Sequence, residues 1–146
     1  MTTRKKAAIL ILTLSIMIMT LVGCAAKTYA NLEEWYNDNP KATSQVQAGL
    51  NQANTSDDMS VEFAIEDNQI IYRYKLNEQL FGLDDETDRI LKSTLENNLN
   101  VQRDSFIQSI DDIALGSGID ASLISVHLEY YNPGDTTPVF SQVVTK

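Results

Sequence analysis

The fold is decided by the stretch MSVEFAIEDNQIIYRYKL, residues 59–76. In its first half apolar residues alternate with polar or small ones, which is typical of a strand with one buried face. Asp67 and Asn68 follow, and both residue types tolerate the positive φ angles of a tight turn. The alternation then continues to Leu76. The stretch therefore predicts a β-hairpin over residues 59–76.

A second alternating stretch lies near the carboxyl end, at residues 123–131. One side carries Ile124, Val126, Leu128 and Tyr130, and the other carries Ser125, His127, Glu129 and Tyr131. Residues 132–135, Asn-Pro-Gly-Asp, are a strong turn signal, and residues 138–144 supply a further strand. These patterns predict a second hairpin.

Between the two hairpins the apolar period changes from two residues to three or four. Acidic residues at 84–88 precede the run, and residues 116–118, Gly-Ser-Gly, end it. The apolar positions are Ile90, Leu91, Leu95, Leu99, Phe106, Ile107, Ile110, Ile113 and Ala114. This pattern predicts one long amphipathic helix, with Leu95 and Ile110 facing the sheet. Gln102 interrupts the stripe, so the helix either bends there or exposes that turn.

Two shorter helices are predicted before the first hairpin. Asn31 is suited to cap the first helix, and Pro40 either ends that helix or starts the next one. Residues 42–53 then carry one apolar stripe. The fold class is therefore α+β: two N-terminal helices, then β-β-α-β-β, with a four-stranded antiparallel sheet covered on one face by the long helix. Residues 31–146 form a single domain in this interpretation.

The amino terminus has the three parts of a bacterial signal peptide. Arg4, Lys5 and Lys6 precede an apolar stretch over residues 7–22, which is shorter than the roughly 20 residues of a comfortable membrane-spanning helix. Leu21-Val22-Gly23-Cys24 resembles the lipobox of bacterial lipoproteins at all four positions. This resemblance implies that Cys24 receives a diacylglyceryl group and becomes the mature amino terminus.

The predicted organisation is a signal peptide at 1–23, a lipid-anchored tether at 24–30 and the domain at 31–146. Two acyl chains anchor a protein more stably than a single myristoyl chain. We therefore expect the protein at the extracytoplasmic face of the cell membrane.

Several stretches together resemble a family of small lipoproteins of Gram-positive bacteria that are built around a domain of unknown function. They are residues 32–40, the hairpin from Ile65 to Tyr74, and residues 126–135. The resemblance covers most of residues 31–144. It implies fold and localisation, and it brings no catalytic residues.

Composition limits the classes of function. The 146-residue chain has a formal net charge of −9, which disfavours binding of nucleic acid through a broad basic surface. Its one Cys cannot form an intramolecular disulfide or a Cys-based metal cluster.

Candidate catalytic and metal-binding residues have simpler structural interpretations. His127 is the single His, no Gly-x-Ser-x-Gly motif accompanies it, and its alternating neighbours favour an outward-facing strand residue. The acids at 84–88 lack the spacing of an EF-hand loop and suit the start of a helix. Glu62 and Glu129 could form a glycosidase pair only within a cleft, which the pattern does not indicate. We therefore predict no catalytic, cofactor-binding or metal-binding residues.

The remaining signal is a set of aromatic and polar residues that could share a binding face: Trp35, His127, Glu129 and Tyr131. Such a face can dock an envelope protein, a peptide or a glycan. The alternative is that this face is only solvated, or that the first helices cover it through Trp35. The sequence favours a noncatalytic binding module at the cell envelope over a small envelope hydrolase that uses His127.

Overall fold

The computed structural model describes residues 27–146, so the predicted signal peptide at 1–23 and the lipidation site Cys24 lie outside the described residues. The described part is α+β, as predicted. Its helices are α1 (Leu32–Asn37), α2 (Pro40–Ala53) and α3 (Asp85–Ser117), and its strands are β1 (Met59–Glu66), β2 (Gln69–Leu76), β3 (Ser125–Tyr131) and β4 (Phe140–Thr145). A short 3₁₀ helix, Ala121–Leu123, precedes β3 where the sequence predicted the start of a strand.

The first hairpin is confirmed with the predicted bounds. β1 and β2 pair antiparallel, from Met59 opposite Leu76 to Glu66 opposite Gln69. Asp67 adopts φ 53° in the turn. This is the left-handed conformation that Asp and Asn tolerate better than most residues.

The four strands form one sheet in the order β1-β2-β3-β4, but the sheet is mixed. The prediction of an all-antiparallel sheet is wrong, because β2 and β3 pair parallel. The reason is the single helical connection. α3 has 33 residues and is therefore about 50 Å long at 1.5 Å per residue, whereas an eight-residue strand spans about 26 Å. One helix of this length returns the chain to the end of the sheet where β2 began, so β3 runs in the same direction as β2.

All three helices pack on one face of the sheet, the covered face. α1 and α2 contact β1, and α3 contacts β3 and β4. Leu95 and Ile110 of α3 are buried in this core, as predicted. α3 runs through Gln102 without interruption. The apolar stripe therefore continues past a partly exposed polar residue.

Aromatic rings line the covered face across the strands. Tyr74 stacks on Tyr130 of the neighbouring strand with ring centroids 4.6 Å apart, and Tyr130 meets Phe140 edge to face. Burial raises the pKa of Tyr72, Tyr74 and Tyr130. These tyrosines therefore stay protonated and contribute as core residues, in agreement with the sequence pattern.

Candidate functional site

The face of the sheet opposite the helices is the candidate site, and we call it the open face. Each strand contributes every second residue to it. They are Ser60, Glu62, Ala64 and Glu66 of β1; Gln69, Ile71, Arg73 and Lys75 of β2; Ser125, His127, Glu129 and Tyr131 of β3; and Ser141, Val143 and Thr145 of β4. The hydrophobic core lies on the other side, where the three described helices pack.

Arg73 is the centre of a charge network on the open face. It lies directly opposite Glu129 in the parallel register. Its Nε donates to Glu129 Oε2 at 3.2 Å, and its Nη2 donates to Glu66 Oε1 at 2.9 Å. The hydrogen bond to Glu66, followed by the charge of Glu129, raises the pKa of Arg73. One guanidinium therefore joins carboxylates of β1 and β3 across the strand between them.

Tyr131 extends this network. Its hydroxyl donates to Glu129 Oε2 at 2.7 Å. Partial burial, together with the hydrogen bond to Glu129, raises the pKa of Tyr131, so the phenol keeps its proton. At the edge of the network Lys75 Nζ donates to Glu62 Oε1 at 2.6 Å. Each glutamate on the face thus has a charged or hydroxyl donor as its partner.

An apolar line crosses the middle of the open face, and we call it the central row. It consists of Ala64, Ile71, His127 and Val143, which are paired across the four strands. Ile71 is only 4% exposed although it lies on the face without helices, because its neighbours surround it. Val143, at the edge, is 48% exposed.

His127 is the polar member of this row. Its Nε2 lies 2.9 Å from Ser125 Oγ, two residues earlier on the same strand. Ile71 and Val143 flank its backbone position on the two adjacent strands. The imidazole is therefore oriented by a hydroxyl and lies between apolar side chains.

A shallow cavity of about 430 Å³ opens where the open face meets the turn after β3. Its lining includes Ser60, Lys75, Asn77, Tyr131 and residues 132–135. Asn132 fixes the adjacent loop: its Oδ1 accepts from the backbone N–H groups of Leu80 and Phe81 at 3.3 and 3.2 Å. The side chain of Asn132, which lines the cavity, therefore holds the neighbouring loop by hydrogen bonds to its main chain.

The structure brings three of the four predicted face residues together, namely His127, Glu129 and Tyr131. The assignment of Trp35 to this face is wrong. Its indole is 2% exposed and belongs to the core on the covered face. The reason is that Leu32 and Trp35, three residues apart on α1, form the one buried side of that short helix. Covering of the open face through Trp35 is excluded for the same reason.

Sequence reasoning missed Arg73 and Asn132. Arg73 has the same alternation phase as Lys75, which marks it as outward-facing, but its role depends on the register with β3. For Asn132 the sequence pattern indicates only a place in a turn.

Glu62 and Glu129 both lie on the open face, and β2 separates them. Two strand spacings place their backbones about 10 Å apart. Each is paired with a cation, Glu62 with Lys75 and Glu129 with Arg73.

The acids at 84–88 start α3. Asp84 caps the helix, with Oδ1 accepting from Thr87 N at 2.8 Å, and Asp88 Oδ1 accepts from Gly82 N at 2.7 Å. Within residues 27–146 no group of His, Cys, Asp or Glu is arranged to hold a metal ion. The same residues include no helix that is long and apolar enough to cross a membrane.

Residues 32–142 match the family described as Domain of unknown function (DUF4854), and the chain belongs to this family. No curated protein and no solved structure matches it.

Proposed function

We propose that this member of the DUF4854 family is a lipoprotein of the cell envelope, anchored through a lipid on Cys24, and that its open face binds an extracytoplasmic partner. The partner classes are an envelope protein, a peptide or a glycan. The observation that carries the binding role is the open face itself, where oriented polar groups border an apolar row.

The anchor is supported by the order of residues at the amino terminus. The order is the one that lipidation requires: three basic residues, then an apolar stretch of signal-peptide length, then Leu21-Val22-Gly23-Cys24. The chain has no other Cys that could compete for the modification. In this proposal the lipid attaches the protein to the membrane, and residues 25–30 separate the lipid from the domain.

The binding role is supported by the mixture of groups on the open face. Binding surfaces combine a desolvated apolar centre with a polar rim. Here His127 and Val143 supply the accessible centre, while Arg73 and Glu129 supply a rim whose side chains are paired with each other. Groups that are fixed before binding lose less conformational entropy when a partner docks.

Tyr131 is the residue most suited to contact the partner. It contacts Glu129 of the rim and also lines the cavity at the end of β3. An aromatic ring with a polar tip can contact peptides, proteins and glycans. Its ring adds apolar contact area beside the charged groups. The cavity then provides a recess beside an otherwise flat surface.

The test is capture of partners from intact cells by proximity labelling, with Tyr131→Ala and His127→Ala compared with the parent chain. Val101→Ala is the matched control, because Val101 is 85% exposed on α3, away from the open face. We expect the face variants to lose the captured partner and the control to retain it. Full capture by both face variants, at unchanged abundance, would refute this binding face.

A hydrolase that uses His127 is the second candidate, and one observation favours it. Ser125 Oγ lies 2.9 Å from His127 Nε2, which is the distance between nucleophile and base in serine hydrolases. A fluorophosphonate probe separates the two candidates, since it labels an activated serine covalently. Labelling that is lost in Ser125→Ala would favour the hydrolase, whereas an unlabelled chain that still captures its partner would favour the binding module.

A further inference from the structure

The chain enters the domain at the junction of α1 and α2. Lys27 Nζ donates to Asp38 Oδ2 at 2.8 Å, and Ala30 N donates to Glu34 Oε2 at 2.8 Å. Asp38 is the C-cap of α1, and α2 begins two residues later. Residues 27–30 therefore run alongside α1, and the first described residue lies at the end of α1 from which α2 starts.

The distance from this junction to the proposed lipid is short. In the sequence, Ala25 and Ala26 are the residues between Cys24 and Lys27. Three steps along an extended chain span at most about 11 Å. A lipid on Cys24 therefore keeps the junction of α1 and α2 close to the bilayer surface, and it limits how the domain can turn above that surface.

The charge of α2 differs from that of the other long helix. Residues 39–56, which include α2, contain no Asp or Glu and one charged residue, Lys41. The exposed positions from 41 to 52 are Lys41, Thr43, Ser44, Gln45, Gln47, Ala48, Asn51 and Gln52. α3, which packs on the same face of the sheet, carries seven acidic and three basic residues. Anionic lipids attract Lys and repel acids that come within the screening distance of about 8 Å, so α2 is the helix suited to approach them.

We propose that the exposed side of α2 rests on the headgroups of the bilayer that holds the anchor, and that the open face points away from the membrane. This inference rests on the proposed lipid on Cys24. Asp38, at the point where the chain enters, is paired with Lys27 and so adds no unpaired negative charge there. A weak contact between α2 and the headgroups is sufficient, because a short tether raises their effective concentration.

This orientation determines which side of the domain a partner reaches. α2 packs on β1 through the covered face, so the sheet lies between α2 and the open face. With α2 on the bilayer, His127, Glu129 and Tyr131 face away from it. The partner of the open face is then a molecule outside the bilayer, and it docks without displacing lipid.

The first experiment measures fluorescence quenching in vesicles of phosphatidylglycerol and phosphatidylcholine whose headgroups carry a nitroxide. The lipidated full chain is labelled with one fluorophore at Ser44→Cys on α2, Ser93→Cys on α3 or Ser141→Cys on the open face, three exposed positions. The Cys24 sulfur does not react, because it already carries the lipid. We expect quenching at Ser44→Cys to exceed that at both other positions, and that at Ser141→Cys at least about threefold, because a helix about 10 Å across and the sheet separate them. Quenching at Ser93→Cys or Ser141→Cys that equals or exceeds that at Ser44→Cys would overturn the inference.

The second experiment adds one negative charge to the Ser44→Cys chain in the same vesicles. Asn51→Asp places it on the exposed side of α2, and Asn100→Asp, the matched control, places it on the exposed side of α3. We expect Asn51→Asp to lower the ratio of bilayer-bound to detached domain about fivefold and Asn100→Asp to leave this ratio unchanged. Equal effects of the two substitutions would overturn the inference.

Mass spectrometry of the same preparations separates this inference from the anchor on which it rests. A chain without the diacylglyceryl mass would overturn the anchor, and the orientation with it. A chain that carries this mass but is quenched equally at the three labelled positions would overturn the orientation alone.

Discussion

Ile110 tests whether packing of α3 on the sheet holds the domain together. Its side chain is 0% exposed and lies in the core shared by α3 and the covered face. Ile110→Ala removes three carbon atoms, and at about 0.8 kcal/mol for each buried methylene the transfer loss is about 2.4 kcal/mol. The cavity left behind adds to this loss, so we expect the free energy of unfolding to fall by about 3–4 kcal/mol.

The assay is urea unfolding followed by the fluorescence of Trp35, the single Trp of the chain, which belongs to the same core. With a urea dependence of about 2 kcal/mol per molar, this loss lowers the midpoint by roughly 1.5–2 M. Protein concentration is held constant, because association stabilises the folded state.

Leu115→Ala is the matched control. Leu115 lies on the same helix but is 84% exposed, so its truncation should change the free energy of unfolding by no more than about 0.5 kcal/mol. If Ile110→Ala and Leu115→Ala unfold at the same urea concentration, the argument that burial of this α3 face stabilises the sheet is refuted.

Three further predictions concern the anchor, a helix cap and a strand edge. Cys24→Ala should abolish incorporation of a labelled fatty acid and leave unprocessed precursor or shed protein; a labelled variant would contradict the lipidation site. Asp84→Ala should destabilise the start of α3. The hydrogen bond from the Thr87 backbone lowers the pKa of Asp84 below 3.8 in the folded protein. The stabilisation by the Asp84 carboxylate is therefore complete above pH 3.8 and is lost as the pH falls through this lowered pKa. Urea midpoints of the parent chain and the variant should therefore converge on acidification, and a constant difference would contradict the assignment. Asn54→Ala removes the side chain that binds the main-chain N–H and C=O of Val61 at the outer edge of β1, and it should lower the free energy of unfolding by about 1–3 kcal/mol. Gln52→Ala, at an exposed position of α2, should change the free energy of unfolding little in the same assay.

Elements defined by local patterns could be predicted from the sequence. The hairpin at 59–76 has the predicted ends because alternation and turn residues are all contained within it. The direction of β3 relative to β2 depends on a connection of 33 helical residues, which lies outside the local pattern of either hairpin. A single helical crossover between strands is the usual sign of parallel pairing, so this signal was present in the order of elements.

The candidate site was predictable to the extent that it follows from alternation along one strand. Alternation placed His127, Glu129 and Tyr131 on one side of β3, and the structure agrees. It could not identify Arg73 as the partner of Glu129, because that contact requires the register between two strands that are not consecutive hairpin partners. The predicted placement of Trp35 on the open face is wrong for a different reason. α1 has six residues, which are too few for an apolar period to show which side of the helix is buried.

The parallel pairing of β2 and β3 is also what builds the site. Because both strands run in the same direction, Arg73 lies opposite Glu129 and Lys75 lies opposite Tyr131. Lys75 and Tyr131 thus reach the same end of the sheet as the turn at 132–135, and together they line the cavity there. In an antiparallel pairing the end of β3 would lie beside the start of β2, so Tyr131 would be far from Lys75 and the charge network would lose its centre. The crossover helix therefore determines the chemistry of the open face as well as the topology of the sheet.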